Sequence, residues 1–255
     1  MRTALSIAGT DPTGGAGLLA DVAVFRALGV HALGVPAALT VQNTQGVKEV
    51  LPLEPSFLRR QLQTLLQDLR PHALKTGLLY STQAVQVVAE ALKGHGLQNL
   101  VVDPVSLSST GVPLIEEGAL DVLREELLPL ARVVTPNIYE AGLLTGLSME
   151  TQEELREAAA RLRQMGPQVV IITGSHEAES ITDLYYDGAF FALQGPFLES
   201  SAGLHGTGCV FSAAVAALLA LGHSPLEAAR RAKDFTHQAI RRAHHPGRGM
   251  GLLGL

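Results

Sequence analysis

The sequence predicts an α/β protein: a mostly parallel central sheet with helices on both faces and an antiparallel hairpin at one edge. Three observations point there. Apolar β-type runs alternate with longer amphipathic stretches along the 255 residues. Charged residues make up only 17% and apolar residues 47%, which suits strands buried on both faces and read as continuous apolar runs. One late stretch breaks the alternation: Thr182 to Asp187 and Phe190 to Leu193 are both strand-like and flank Asp187-Gly188, a hairpin signal.

The elements follow in order. Thr3 to Ala8 is an apolar first strand; Gly14-Gly15-Ala16-Gly17 turns the chain into a helix from Leu18 to Leu28, stopped by Gly29. Ala32 to Val41 is a second strand region, interrupted by Gly and Pro. Pro55 to Leu69 carries Phe57, Leu58, Leu62, Leu65 and Leu66 on one side, a helical spacing. Ala73 to Thr76 is a short strand ending at Gly77, and Thr82 to Leu92 a helix. Asn99 to Val102 is a strand ending at Asp103-Pro104, and Gly118 to Leu128 a helix. Arg132 to Val134 is a strand ending at Thr135-Pro136-Asn137; helices from Ile138 to Leu144 and Gln152 to Met165 follow. Gln168 to Ile172 is a strand ending at Thr173-Gly174. After the hairpin come helices from Gly208 to Leu221 and Pro225 to His244. No linker or repeat divides the chain, so residues 1–255 are expected to form one domain.

Several classes are excluded or disfavoured. The net charge is −5, with 4% aromatics and no Trp, which argues against nucleic acid as a partner. One cysteine allows neither an internal disulfide nor a multi-Cys zinc site. Val210 to Leu221 is too short to span a bilayer and no signal peptide is evident, so a soluble cytoplasmic protein without membrane partners is expected. None of the four lysines follows a glycine, so there is no Walker A loop. Gly249-Met250-Gly251-Leu252-Leu253-Gly254 matches a dinucleotide fingerprint but leaves no room for the helix that must follow it. His244-His245 reads as a frayed, solvated helix end.

Chemistry is sought at the carboxyl ends of the strands, where open α/β sheets bind ligands. His205-Gly206-Thr207-Gly208-Cys209 precedes a small-residue apolar helix. Free N–H groups at a helix start, with glycines either side of Thr207, suit a phosphate. Cys209 in the first turn is expected to have a lowered thiol pKa and to take a proton from a substrate hydroxyl. The same residues also suit an ordinary loop-to-helix turn with a small buried Cys. Asn137 and Glu140 share one face of a first turn and suit a hydrated Mg²⁺ beside phosphates; a capping box has the same spacing. The Gly9 to Gly17 loop, with Asp21 one turn into its helix, permits close approach of a small ligand. Gln42 donates and accepts at once, as an aminopyrimidine edge requires.

Six segments in order resemble the ribokinase superfamily: Ala8 to Gly17, Ala38 to Thr44, Lys75 to Leu79, Asp103-Pro104-Val105, Thr135 to Ala141, and His205 to Cys209. The nearest branch is the hydroxymethylpyrimidine / phosphomethylpyrimidine kinases of thiamine biosynthesis. The resemblance implies a three-layer ribokinase-like fold. It also implies phosphorylation of 4-amino-5-hydroxymethyl-2-methylpyrimidine and its monophosphate with ATP and Mg²⁺, and frequent homodimers. By position it implies an anion hole at Gly206, Thr207, Gly208 and Cys209, and pyrimidine contacts at Gln42, Asp21, Gly9 and Val105. Asp103 and Glu140 fall on the metal side, and Asn137, Thr173 and Gly174 on the nucleotide side. The chain carries Thr173-Gly174-Ser175-His176 where Lys-Gly-Gly-His is usual, and a polar run, Ser106-Leu107-Ser108-Ser109, on one pocket wall. A pyridoxal kinase of the same fold is the alternative. A regulator that only binds ligand has no use for the anion loop and the Asn-x-x-Glu pair.

Overall fold

The computed structural model describes residues 1–108, 110–177, 180–196 and 203–255; Ser109, the end of that polar run, lies outside them. Six parallel strands form the middle of the main sheet. In spatial order they are β2 (His31–Asn43), β1 (Thr3–Thr10), β4 (Ala73–Thr76), β5 (Leu100–Val102), β6 (Val133–Val134) and β7 (Val169–Glu177). β3 (Gly46–Pro52) pairs antiparallel with β2 at one edge, and β8 (Ser180–Tyr186) and β9 (Phe190–Pro196) continue antiparallel from β7 at the other. The β8–β9 pair turns at Asp187-Gly188, with Tyr186 opposite Phe190, as the sequence predicts.

The strands are continuously apolar because each feeds two cores. Leu5, Ile7, Leu100, Val102, Val134, Val170 and Ile172 face one side. There they meet helices α2 (Pro55–Asp68), α3 (Thr82–His95) and α6 (Gln152–Gln164). Ala4, Val101, Val133, Val169 and Ile171 face the other, against α1 (Gly17–Ala27), α7 (Thr207–Ala220) and α8 (Pro225–Arg241). Alternate residues of one strand thus enter different cores, as a period-2 backbone dictates. α7 is apolar all round and is buried from Val210 to Ala220, the pattern of a helix with no solvent face.

Three expectations are corrected, and one pair of strands is added. β2 runs on to Asn43 and turns back into β3, where the sequence showed only a polar strand end. The helix expected from Gly118 to Leu128 is α-helical only over α4 (Ala119–Val122); a π turn (Leu123–Leu127) and a 3-10 turn (Leu128–Leu130) follow. Pro129 has no N–H to give to that ladder. The last long helix ends at Arg241 instead of His244. His244 then exchanges two backbone hydrogen bonds with Leu252, so it belongs to an ordered bridge rather than a frayed end. Finally, β10 (Leu204–His205) and β11 (Gly251–Leu252) form a small parallel pair beside the start of α7.

Candidate active site

Strand order reverses about β1, so the switch point of the sheet lies between β1 and its neighbours. The carboxyl ends of β1, β2, β5, β6 and β7 open there on a cleft of about 360 Å³. It brings together Gly9, Gln42, Asp103, Val105, Asn137, Glu140, Thr173, Gly206, Thr207, Gly208 and Cys209. Gly174 instead lines an adjoining cleft of about 240 Å³, which shares Thr173, Thr207 and Gly208 with the first. Asp21 lines neither.

α7 begins at Gly206, whose φ is +88° and which leaves the helix start without a side-chain cap. A Cβ there would sit 1.9 Å from Gly15 O, so only glycine lets the α7 loop close on the first glycine loop. Val210 N–H, bonded to Gly206 O, makes the first bond of the helix. The N–H groups of Thr207, Gly208 and Cys209 therefore stand at the positive end of the helix, facing the cleft. Nothing lies within 4 Å of a Cβ built on Gly208.

Beneath this loop is a buried polar cluster. Lys75 Nζ donates to both oxygens of Asp21 at 3.0 Å and lies 3.5 Å from Asp103 Oδ2. Ser6 donates to Asp21 at 2.5 Å, and Ser212 donates to Asp103 at 2.9 Å. Burial works against the Lys75 ammonium, but Asp21, Cys209 and Asp103 together outweigh it and raise its pKa. Asp21, assigned to the pyrimidine pocket from the sequence, is instead consumed by Lys75 and Ser6 at 0% exposure. The thiol expectation also fails. Burial pushes Cys209 up to about 12, Asp103 and Asp21 push the same way, and Lys75 and the Gly17 N–H oppose them without prevailing.

Asn137 and Glu140 form a full capping box at the start of α5 (Ile138–Thr145). Asn137 Oδ1 accepts from Glu140 N–H at 2.9 Å, and Glu140 Oε2 accepts from Asn137 N–H at 3.0 Å. Glu140 Oε1 accepts from Ser106 N–H at 3.3 Å. The capping reading is met, and Glu140 also lines the cleft, as the metal-binding reading requires. Burial, and then the charge of Asp103, push Glu140 up to about 8. Two carboxyls sharing one cleft fit a cation, and Mg²⁺ is commonly held by one or two carboxylates plus phosphate oxygens. Among the described residues, no group of three His, Cys, Asp or Glu makes an all-protein metal cage.

Three residues, His205 and Lys75 within the six segments and Lys233 outside them, receive no role of their own from the sequence. His205 Nε2 lies 2.9 Å from Asp11 Oδ2 and 3.0 Å from the Gln42 amide. Gln42 turns its Nε2 to the ring and its Oε1 to Thr40 Oγ1, and His205 Nε2 cannot both donate to Asp11 and accept from Gln42 at once, so the tautomer decides which of the two contacts is the hydrogen bond. Burial alone would raise Asp11, but hydrogen bonds from His205 and Thr13 leave it below its ordinary value. Lys75 was signalled by a charge inside an apolar strand. Lys233, on the apolar face of α8, lines the adjoining cleft and donates to Asp183 at 2.7 Å; Asp183 Oδ1 accepts from Gly174 N–H at 3.1 Å. A cation thus reaches the Thr173-Gly174 turn from a different element.

Such a cleft, with an uncapped helix start for an anion, paired carboxyls and an adjoining cleft across the same loop, has the parts of a small-molecule phosphotransferase. The family model described as phosphomethylpyrimidine kinase matches residues 11–254. A Bacillus subtilis protein named hydroxymethylpyrimidine/phosphomethylpyrimidine kinase is 39% identical over 251 residues, 97% of this chain and 92% of that one. The solved pyridoxal kinase of Staphylococcus aureus in complex with AMP-PCP and pyridoxal is similar at TM-score 0.90 and 34% identity, covering 100% of this chain and 93% of that one. The solved phosphomethylpyrimidine kinase of Clostridium difficile is similar at TM-score 0.83 and 32% identity, covering 94% and 100%. The chain belongs to the phosphomethylpyrimidine kinase family, with a ribokinase-like fold.

Proposed function

We propose that this protein transfers the γ-phosphoryl group of ATP to 4-amino-5-hydroxymethyl-2-methylpyrimidine, and then to the monophosphate, in thiamine biosynthesis. One observation carries the reading: a single cleft joins the Gln42 wall to the uncapped start of α7, in a chain matched by its family over residues 11–254. The pyrimidine lies between Gly9, Val105 and Gln42, its hydroxymethyl group toward Cys209. ATP lies across the shared loop, with Thr173, Gly174 and Asn137 on its phosphate side and Lys233 in the adjoining cleft.

The hydroxymethyl oxygen attacks phosphorus as the bond to ADP breaks, and the hydroxyl proton leaves with the phosphate product or to water. N–H groups from Thr207 to Cys209 hold the charge spreading over the phosphoryl oxygens. A loose transition state needs little deprotonation of the nucleophile, so a neutral Cys209 thiol orients the hydroxyl without removing its proton. Asp103 and Glu140 would hold Mg²⁺, which when bound neutralises phosphate charge.

The protein is further proposed to be cytoplasmic and homodimeric. Leu39 and Leu51, opposite each other on β2 and β3, and Val41 are exposed on an edge hairpin, and a second copy would cover them. A monomer by light scattering at working concentration would contradict this. Pyridoxal kinase is the second reading, favoured by the TM-score of 0.90 to the staphylococcal enzyme. A panel of hydroxymethylpyrimidine, its monophosphate, pyridoxine and ribose with ATP and Mg²⁺ tests both. The two pyrimidines should be turned over; no turnover of any substrate leaves the ligand-binding regulator.

A further inference from the structure

The Gly249 to Gly254 run, which has no place in dinucleotide binding, is packed against the substrate side of the cleft. Residues 247–252 touch three loops there. Met250 N–H donates to Thr44 O at 2.7 Å, and Gly249 N–H donates to Thr44 Oγ1 at 3.3 Å. Thr44 sits in the turn between β2 and β3, two residues beyond Gln42. Gly251 N–H donates to Gly203 O at 3.0 Å, and β11 pairs with β10 so that Leu252 lies opposite His205. Leu252 also covers Gly15, its Cδ2 lying 2.6 Å from where a Cβ would stand. The glycines are there for room. A Cβ on Gly249 would meet Thr44 O at 2.0 Å, and one on Gly247 would meet Thr44 Oγ1 at 2.3 Å.

Gln42 and His205 are 163 residues apart in the chain and meet at 3.0 Å across the pocket wall. Gln42 lies past Leu39, where the pairing of β2 with β1 ends, so its stretch of β2 is held in the sheet by β3 alone. His205 belongs to a strand of two residues. Both lie at the ends of short pairings, and the C-terminal segment is hydrogen-bonded to the backbone two residues from each, at Thr44 and at Gly203. We propose that this strap sets the Gln42–His205 spacing and thereby the affinity of the pocket for its heteroaromatic substrate, with Gly247 and Gly249 as positioning residues. The proposal deepens the functional reading above and rests on Gln42 recognising the ring.

Gly249→Ala and Gly247→Ala in the full chain test it. KM for hydroxymethylpyrimidine should rise on the order of tenfold, the scale of one misplaced hydrogen bond, while kcat and KM for ATP stay within about twofold. The imidazole ¹⁵N resonances of His205 in ligand-free protein should shift in the same variants. Thr44→Ala removes the Oγ1 and the methyl that face Gly247. Adding it to Gly247→Ala should bring KM most of the way back, since the Met250 bond to Thr44 O remains while the longer Gly249 bond to Oγ1 is lost; Gly249→Ala, which meets the Thr44 backbone, should not be rescued. This pair keeps the test decisive if Gly249→Ala does not fold. A folded variant with a lowered melting temperature but unchanged KM and unmoved His205 resonances would overturn the proposal and leave the strap as packing. If the wild type leaves hydroxymethylpyrimidine unphosphorylated, the functional reading falls, and the His205 resonances still judge the strap.

Discussion

Glu140 gives one carboxylate to two tasks, accepting from the Asn137 and Ser106 N–H groups while sharing the cleft with Asp103. Its folded pKa, about 8, stands above the ordinary 4.5. Folded protein therefore holds a proton that unfolded chain has lost between these values, and stability falls as pH rises through that window. Glu140→Gln removes the titration. Its melting temperature relative to wild type, in metal-free buffer, should climb steadily from pH 5 to pH 8; a constant difference would contradict the shift. The same variant should lower turnover and raise the Mg²⁺ requirement. It also loses one of two acceptor oxygens, so the cap weakens at every pH, which the slope, not the offset, separates. At Cys209 the raised thiol pKa sets the expectation. Cys209→Ala should cost less than about tenfold in kcat and leave the pH–rate limbs in place, as a loose transition state allows. A loss of about 10²–10⁴ with a vanished limb would restore the general base. The sequence showed that Cys209 opens a helix, which favours the thiolate. It did not show that Asp21 and Asp103 lie beside it, because those contacts join residues far apart in the chain. Asp21, on α1, was misplaced for the same reason: its partner, Lys75, comes from β4, 54 residues on.

Among the elements, the start of α7 does the most. Its uncapped start and the empty space over Gly208 are one feature seen twice, and it is there that the proposed function puts the transferred phosphoryl group. Gly208→Ala puts a methyl into that space without touching protein. The melting temperature should stay put while kcat falls on the order of 10²–10³, the scale of a lost oxyanion donor. Full activity in this variant would move the phosphate elsewhere. This element was legible because Gly-Thr-Gly before a long apolar run carries its own backbone logic. The parallel strands were legible too, since each is a short apolar run ending in a polar or small residue. The β2–β3 hairpin was not. It turns at Thr44-Gln45 without the Asn-Gly or Asp-Gly signal, and Lys48-Glu49 interrupt the alternation of β3. β10 and β11 have two residues each, below the length at which any periodicity shows.

Across the whole molecule, two cores on opposite faces of one sheet fix the cleft at the switch point, and the buried Lys75–Asp21–Asp103 cluster ties that cleft to the sheet beneath it. Similarity at this scale does not separate the two ring substrates, since solved pyridoxal and phosphomethylpyrimidine kinases share the fold at TM-scores of 0.90 and 0.83. On the proposed function, specificity is assigned to the wall of Gln42, His205 and Asp11 and to what holds it. The most direct measurement is a competition in one vessel. Equimolar 4-amino-5-hydroxymethyl-2-methylpyrimidine and pyridoxine are supplied with limiting ATP and Mg²⁺, and all phosphorylated products are read by mass spectrometry. Pyrimidine monophosphate should form first, then pyrimidine diphosphate, with pyridoxine phosphate a minor product. Pyridoxine phosphate as the dominant product, with the pyrimidine left unphosphorylated, would contradict it.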